Sequence, residues 1–245
     1  MLLTIFGNGV MANAMISGLL KQSFKIEVFG RDEKKLQALK ERYPKIEVYT
    51  YKKEIDISGK NVILCVKPYA LEAVTKQLKN RAAALFSVLA GVTTEQLKAN
   101  IQSECYIRAM PNIAASFGKS MTTLTGDKEA KEKALNIFGA IGKTLWVGSE
   151  KELDTATVLT GSAPAFLALV AESLIDGGVK EGLKRDDAEF LARGLFESFS
   201  ELLNNYSHPA LIKDAVMSPN GVTAKGYAVL EDYKVRSAFI KVYKG

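Results

Sequence analysis

A chain of 245 residues is longer than the usual single domain, so one large domain or two smaller ones both fit it. Hydrophobic residues make up 47% and charged residues 24%, which excludes a disordered chain. The net charge of +6 is spread over single cations and pairs such as Lys34-Lys35 and Lys52-Lys53, without the basic block of a nucleic-acid binder. Cys65 and Cys105 have no metal-ligand spacing, and Cys65 lies in an apolar run, as a core residue of a reducing compartment does. The lone histidine, His208, precedes a proline and reads as a loop residue. No apolar stretch reaches the ~20 residues of a membrane span, and the start reads as a strand, without a basic leader. The expectation is a cytoplasmic protein that contacts neither membrane nor nucleic acid.

In chain order, β-rich runs fall at 2–6, 25–29, 46–50, 61–66, 85–89, 106–110 and 144–147. Amphipathic runs lie between them at 10–21, 33–43, 70–80, 95–101 and 128–141. Thr93 and Gln96 form a capping box before the fourth helix. Strand–helix alternation at this spacing predicts an α/β fold, a doubly wound and mainly parallel sheet with helices on both faces. After Glu150 the strand signals nearly vanish. Residues 163–175 are apolar almost all round, so a helix there must be buried, and a small helical domain needs a partner chain to bury it. Further helices fit 186–206, 209–216, 222–233 and 235–243. The expected division is a Rossmann domain over 1–150 and an all-α domain over 151–245.

The first strand runs into FGNGVMANA, giving Gly7-x-Gly9-x-x-Ala12 at the head of a helix. In that position the pattern is a dinucleotide fingerprint. Gly7 makes the tight turn, Gly9 admits a pyrophosphate to the backbone, and free amides at the helix start face the phosphates. The alternative is a βα turn without ligand. At the end of the second strand, where NAD binders carry an acid, the chain reads EVFGRDEKK. Gly30 takes the acid's place and Arg31 follows, which suits the 2′-phosphate of NADPH and leaves NADH as a second donor. Asp32 reads as the N-cap of the next helix. Lys67 and Pro68 follow the fourth strand, Ala90-Gly91 leaves room for a flat ring after the fifth, and Asn112 after the sixth offers a neutral partner for a carboxamide or ribose. Each of these also reads as a plain turn. Near the C-terminus, MSPNGVTAKG (217–226) is a polar turn between helices, either a connector or a seat for a small anion.

These pieces, in this order, resemble the pyrroline-5-carboxylate reductase family over essentially the whole chain. The motifs that carry the resemblance are VKP (66–68), AGV (90–92), RAMPN (108–112), TGSAPAF (160–166), DGGVKEGL (176–183) and SPNGVTAKG (218–226). The resemblance implies reduction of 1-pyrroline-5-carboxylate to L-proline with hydride from NADPH or NADH. It implies an N-terminal Rossmann domain and a helical C-terminal domain that interlocks with a second copy into a homodimer, with dimers joining into larger rings. It places Gly7, Asn8, Gly9, Val10 and Met11 on the pyrophosphate, and Val66, Lys67, Pro68, Ala90 and Asn112 along the rest of the cofactor. It makes Ser218, Asn220, Gly221, Val222 and Thr223 the substrate turn, with the Thr223 hydroxyl at the substrate nitrogen and the carboxylate on Ser218 and backbone amides.

Three positions depart from the family's pattern. Ala163 stands for a glycine, Phe166 for a tyrosine and Asn220 for a glycine. Asn tolerates left-handed backbone better than other non-glycine residues, so the turn's shape can survive. An asparagine usual before strand four has no match, and Lys52 lies near its place. Two rivals stay open. A β-hydroxyacid dehydrogenase-like enzyme would carry a lysine on the interdomain helix, and residues 158–175 contain none. A non-catalytic NADP-binding relative would explain the altered motifs.

Overall fold

The computed structural model describes residues 1–51 and 54–244; Lys52 and Lys53 lie outside the described residues. Ten strands occur among them: β1 Leu2–Phe6, β2 Lys25–Gly30, β3 Glu47–Thr50, β4 Ile55–Asp56, β5 Asn61–Leu64, β6 Leu78–Lys79, β7 Ala84–Ser87, β8 Tyr106–Met110, β9 Ser120–Gly126 and β10 Gly142–Trp146. Eight form one sheet in the order β10-β9-β8-β7-β5-β1-β2-β3, and β4 pairs with β6 alone. Every neighbouring pair in the large sheet is parallel except β8–β9. The chain winds outward from β1 through β2 to β3, then returns to lay β5 on the other side of β1. The strand order reverses there, and doubly wound sheets bind ligands at such a point.

The central strands are apolar along their length because both faces are covered. On one face Leu3, Ile5, Ile63 and Phe86 pack with Met15, Ile16 and Leu19 of α1 (Val10–Leu19), Leu36 and Leu39 of α2 (Glu33–Arg42), and Ile137 and Phe138 of α5 (Lys131–Gly139). On the other, Phe6, Val62, Leu64 and Leu85 pack with Leu71 and Val74 of α3 (Leu71–Thr75) and Leu97 of α4 (Thr94–Asn100). The capping box at α4 is present, with the Thr93 hydroxyl accepting from the Gln96 amide at 3.2 Å. Asp32 caps α2 as expected, accepting from the Lys35 amide at 3.1 Å.

Several elements differ from expectation, two of them instructively. The helix read over 70–80 is a 3-10 turn, Pro68–Ala70, and a short α3; residues 78–79 leave it to pair with β4. β9 was not expected, because its run SMTTLTG carries no apolar alternation. Tertiary burial makes it a strand: Ser120 and Thr122 share a hydrogen bond of 3.0 Å, and Thr125 Oγ1 donates to the Val147 carbonyl at 3.1 Å. His208 lies in the bend before α9 (Pro209–Val216), as the sequence suggests, and there its Nδ1 accepts from the Ala210 amide at 3.1 Å and caps the helix.

The chain forms two compact units, Met1–Ser162 and Ala163–Gly245. The first runs past residue 150 because α6 (Glu150–Thr157) and its π-turn Val158–Ser162 are tied to it. Arg108 of β8 donates to Glu150 at 3.0 Å and to Asp154 at 2.8 Å. The second unit consists of α7 (Ala163–Lys180), α8 (Arg185–Asn205), α9, α10 (Val222–Asp232), α11 (Val235–Lys241) and a terminal 3-10 turn. Among its described residues only Ala188, Ala192 and Ile212 are buried hydrophobics, while Leu169, Phe190, Leu191 and Leu195 stand in solvent. A unit with so little core leaves an unusually large apolar surface in solvent. By length and composition alone, an 18-residue window of the helix Glu150–Lys180 is apolar enough to cross a membrane, a test that the core helix of a soluble protein also passes.

Candidate active site

A cleft of about 790 Å³ opens at the carboxyl ends of β1, β2, β5 and β7, all within the first unit. Its floor is the glycine loop. Gly7 has φ of 117°, and a Cβ built there would stand 2.5 Å from the Cys65 carbonyl oxygen of the neighbouring strand end. Only glycine lets the loop pass so close to that strand. Gly9 differs: its backbone is extended, and nothing lies within 4 Å of a Cβ built on it. That open space is over the start of α1, where no side chain caps the helix and no acid sits in the first turn. Uncapped amides at a helix N-terminus carry partial positive charge and attract phosphate.

At the β2 end the cleft is basic. Arg31, Asp32 and Lys35 line it, and Lys35 pairs with Asp32 at 3.8 Å, so the balance of charge at this end is positive through Arg31. Gly30 leaves room for Asn8: a Cβ at residue 30 would come within 2.9 Å of the Asn8 side-chain amide, which donates to the Asp32 carbonyl at 3.3 Å. A strand-end acid at 30 would therefore displace the Asn8 side chain from that bond. Tyr51 also lines this end; burial pushes its hydroxyl up to about 12, against the opposing effect of Arg31. Burial likewise pushes the Cys65 thiol up to about 12, so it stays protonated and is a poor nucleophile.

Of the cofactor residues read from the sequence, Gly7, Asn8, Gly9, Val10, Met11, Arg31, Val66, Lys67, Pro68 and Ala90 all line this cleft. Asn112 does not. Its Oδ1 accepts from the Ala114 amide at 3.1 Å, and its Nδ2 donates to the Thr160 carbonyl at 2.9 Å. The side-chain amide that the sequence offered to a carboxamide or ribose is already engaged in capping a 3-10 turn and holding a π-turn. Lys35 and Tyr51 were missed. Lys35 had a signal, four residues after Arg31 at the head of α2; Tyr51 had none, since only the sheet brings it beside the cleft.

In the second unit Ser218, Asn220, Gly221, Val222 and Thr223 form an exposed turn into α10. Asn220 takes φ of 58°, the left-handed conformation the family's glycine would supply. Gly221 caps α10, its amide donates to the Ser218 carbonyl at 3.0 Å, and a Cβ on it would stand 2.4 Å from the Ser218 hydroxyl. Thr223 is thus not the helix N-cap. It lies in the first turn of α10, whose cap has no side-chain hydrogen bond, so the hydroxyl is not tied up in capping. Because left-handed backbone costs an ordinary residue about 1 kcal/mol or more, Asn220→Ala is expected to lower stability by about that amount in denaturant titration, and Asn220→Gly to leave it unchanged or slightly raised.

Comparison with known proteins agrees with both units. Residues 150–245 match the family described as pyrroline-5-carboxylate reductase dimerisation, and residues 2–91 match the one described as NADP oxidoreductase coenzyme F420-dependent. The chain is 39% identical to the pyrroline-5-carboxylate reductase of Helicobacter pylori strain J99, over 98% of this chain and 95% of that one. The enzyme of the same name from Synechocystis is 34% identical over 99% and 94%. The 1-pyrroline-5-carboxylate reductase structure from Streptococcus pyogenes superposes with a TM-score of 0.89 at 27% identity, covering 100% of this chain and 95% of that one.

Proposed function

The chain belongs to the pyrroline-5-carboxylate reductase family, and on that premise we propose that it reduces 1-pyrroline-5-carboxylate to L-proline with NAD(P)H, the last step of proline biosynthesis. The observation that carries the cofactor half of this reading is the uncapped start of α1 beneath the open Gly9, in a cleft whose β2 end is basic. The nicotinamide nucleotide, when bound, supplies the hydride. Gly7, Asn8, Gly9, Val10 and Met11 bind its pyrophosphate, and Val66, Lys67, Pro68 and Ala90 hold the remainder. Arg31, with Lys35, takes a 2′-phosphate, which makes NADPH the preferred donor and NADH a weaker one.

Ser218 and the amides at the head of α10 receive the substrate carboxylate. The Thr223 hydroxyl donates to the imine nitrogen, which makes the adjacent carbon more electrophilic as it takes the hydride. As the carbon takes the hydride, the nitrogen acquires a proton from solvent; a substrate that arrives as the iminium instead donates its N–H to the Thr223 oxygen. No stronger acid is required for so activated a substrate. Holding the reactants in register and presenting fixed donors supply most of the acceleration.

The second unit works as a homodimerisation domain, and dimers of this kind can join into rings. Its near absence of core and the dimerisation match support a second copy, rather than lipid, as what covers its apolar surface, including the α7 end of Glu150–Lys180. The domains are 1–150 for cofactor and 151–245 for dimerisation and substrate; the family match beginning at residue 150 supports that division, while the compact units part at 162 because α6 is tied to β8. Dispersed charge supports the absence of nucleic acid as a partner. Two free cysteines and a soluble nucleotide cofactor fit the cytoplasm.

Loss of NADPH absorbance on adding 1-pyrroline-5-carboxylate tests the reaction. A flat trace from folded, NADPH-bound protein would overturn it and leave a non-catalytic relative. Arg31→Ala tests the donor preference: since a charge-assisted hydrogen bond contributes about 1.5–3 kcal/mol, NADPH affinity is expected to fall roughly tenfold or more, and NADH affinity to change little. Equal losses for both nucleotides would remove Arg31 from the 2′-phosphate.

A further inference from the structure

Arg108 is the only fully buried charged side chain among the described residues, 1% exposed in the interior strand β8. Burying a charge is unfavourable unless it is paired, and a well-packed apolar residue would hold a helix to a sheet at least as well. A buried arginine whose carboxylate partners, Glu150 and Asp154, reach toward solvent therefore raises the question of what its directionality achieves. Arg108 Nη1 donates to Glu150 Oε1 at 3.0 Å and Nη2 to Asp154 Oδ1 at 2.8 Å, both on α6. The same Glu150 oxygen also accepts from the Thr94 amide at 2.8 Å and the Thr94 hydroxyl at 2.9 Å. An oxygen serving three donors is held in one direction. The Glu150 carboxyl is accordingly drawn below its ordinary range: burial raises it, but the Thr94 and Arg108 donors outweigh that.

Thr94 opens α4, directly after the loop in which Val88, Leu89 and Ala90 line the cleft. At the far end of the α6 segment, the Thr160 carbonyl accepts from Asn112, and the next residue, Ile113, lines the cleft as well. One helical segment, 150–162, is thus strapped to the loops after β7 and β8. In sheet order these lie on the opposite side of β1 from β2 and Arg31. Neither Arg108 nor Glu150 lines the cleft.

We infer that Arg108 and Glu150 are positioning residues for hydride transfer, setting through Thr94 the 88–94 loop on which the ring end of the nucleotide rests. The inference rests on the nucleotide reading of the cleft. It assigns the two cleft ends different supports: Asn8 and α2 at the phosphate end, and the Arg108–Glu150–Thr94 relay at the reacting end.

The test uses the full chain with Thr94→Val, which removes one donor and keeps the shape, and Glu150→Gln, which removes the charge. Amide hydrogen exchange over 88–94 is expected to quicken several-fold in both, on the order of the tenfold that one lost hydrogen bond allows, while the rest of the sheet stays protected. NADPH affinity by fluorescence titration should stay within about twofold of wild type, and kcat should fall roughly tenfold, the signature of misplacement rather than lost binding. Thr94→Ser should restore both exchange and kcat. Exchange and kcat at wild-type levels in Thr94→Val, or exchange quickened evenly across the sheet, would overturn the inference. A wild-type chain that binds NADPH without oxidising it would instead overturn the proposed reaction, and the exchange result would still decide the relay.

Discussion

Gly7→Ala is expected to cost the first unit about 3 kcal/mol, combining left-handed strain with overpacking against a neighbour that cannot yield. The new Cβ would stand 2.5 Å from the Cys65 carbonyl oxygen, and that carbonyl belongs to main chain at the end of a central strand. For a unit of this size the melting temperature should drop by roughly 10 °C, read by calorimetry without cofactor. The informative control is Gly9→Ser. Gly9 is extended and its Cβ position is empty, and serine is a better N-cap than most residues. Melting should therefore move by no more than about 2 °C. NADPH affinity should fall at least about tenfold, because the side chain enters the space over α1 and its hydroxyl competes for the amides that would bind phosphate. Two glycines of one motif would then separate into one that the fold needs and one that the ligand needs. Unchanged NADPH affinity in Gly9→Ser would remove the pyrophosphate from this helix start.

Thr223→Ala should lower turnover by ~10²-fold, the low end for a lost proton-transfer partner, with NADPH affinity unchanged. The structure sharpens this expectation. Were Thr223 the N-cap of α10, its loss would shorten the helix and blur the result. The cap is Gly221, and the Thr223 side chain supports no capping bond. Circular dichroism and melting of Thr223→Ala should thus match wild type. Steady-state rates at saturating NADPH check the effect. Wild-type turnover would exclude the hydroxyl from the reaction, and a large loss of helix would reassign it to structure.

Much of the fold was legible because its signals are local. Apolar runs mark the buried parallel strands, and the glycine loop stands between β1 and α1 as the spacing requires. Asp32 and Thr93 with Gln96 announce two helix starts through bonds made within three residues. The elements that were missed depend on partners far away in the chain. β9 is a strand because β8 and β10 flank it, not because its Ser/Thr run alternates. Residues 78–79 left a helix because Ile55 and Asp56 offered a ladder. That the Asn112 side chain bonds the Thr160 carbonyl at 2.9 Å could not be read either, because the two residues lie 48 apart in the chain.

By itself the sequence determined the winding of the sheet and the family, and it set the expectation of a cleft at the strand ends and of a partner chain. These follow from periodicity, from glycines at fixed offsets and from an apolar helix without a polar face, all of which are properties of neighbours along the chain. Only the tertiary structure decided what each glycine is for, that Asn220 takes the left-handed conformation, and that Arg108 reaches Thr94 through Glu150. Those are matters of approach between distant segments. A side chain's role there is set by what stands a few ångströms away, and close packing makes that distance a property of the whole fold.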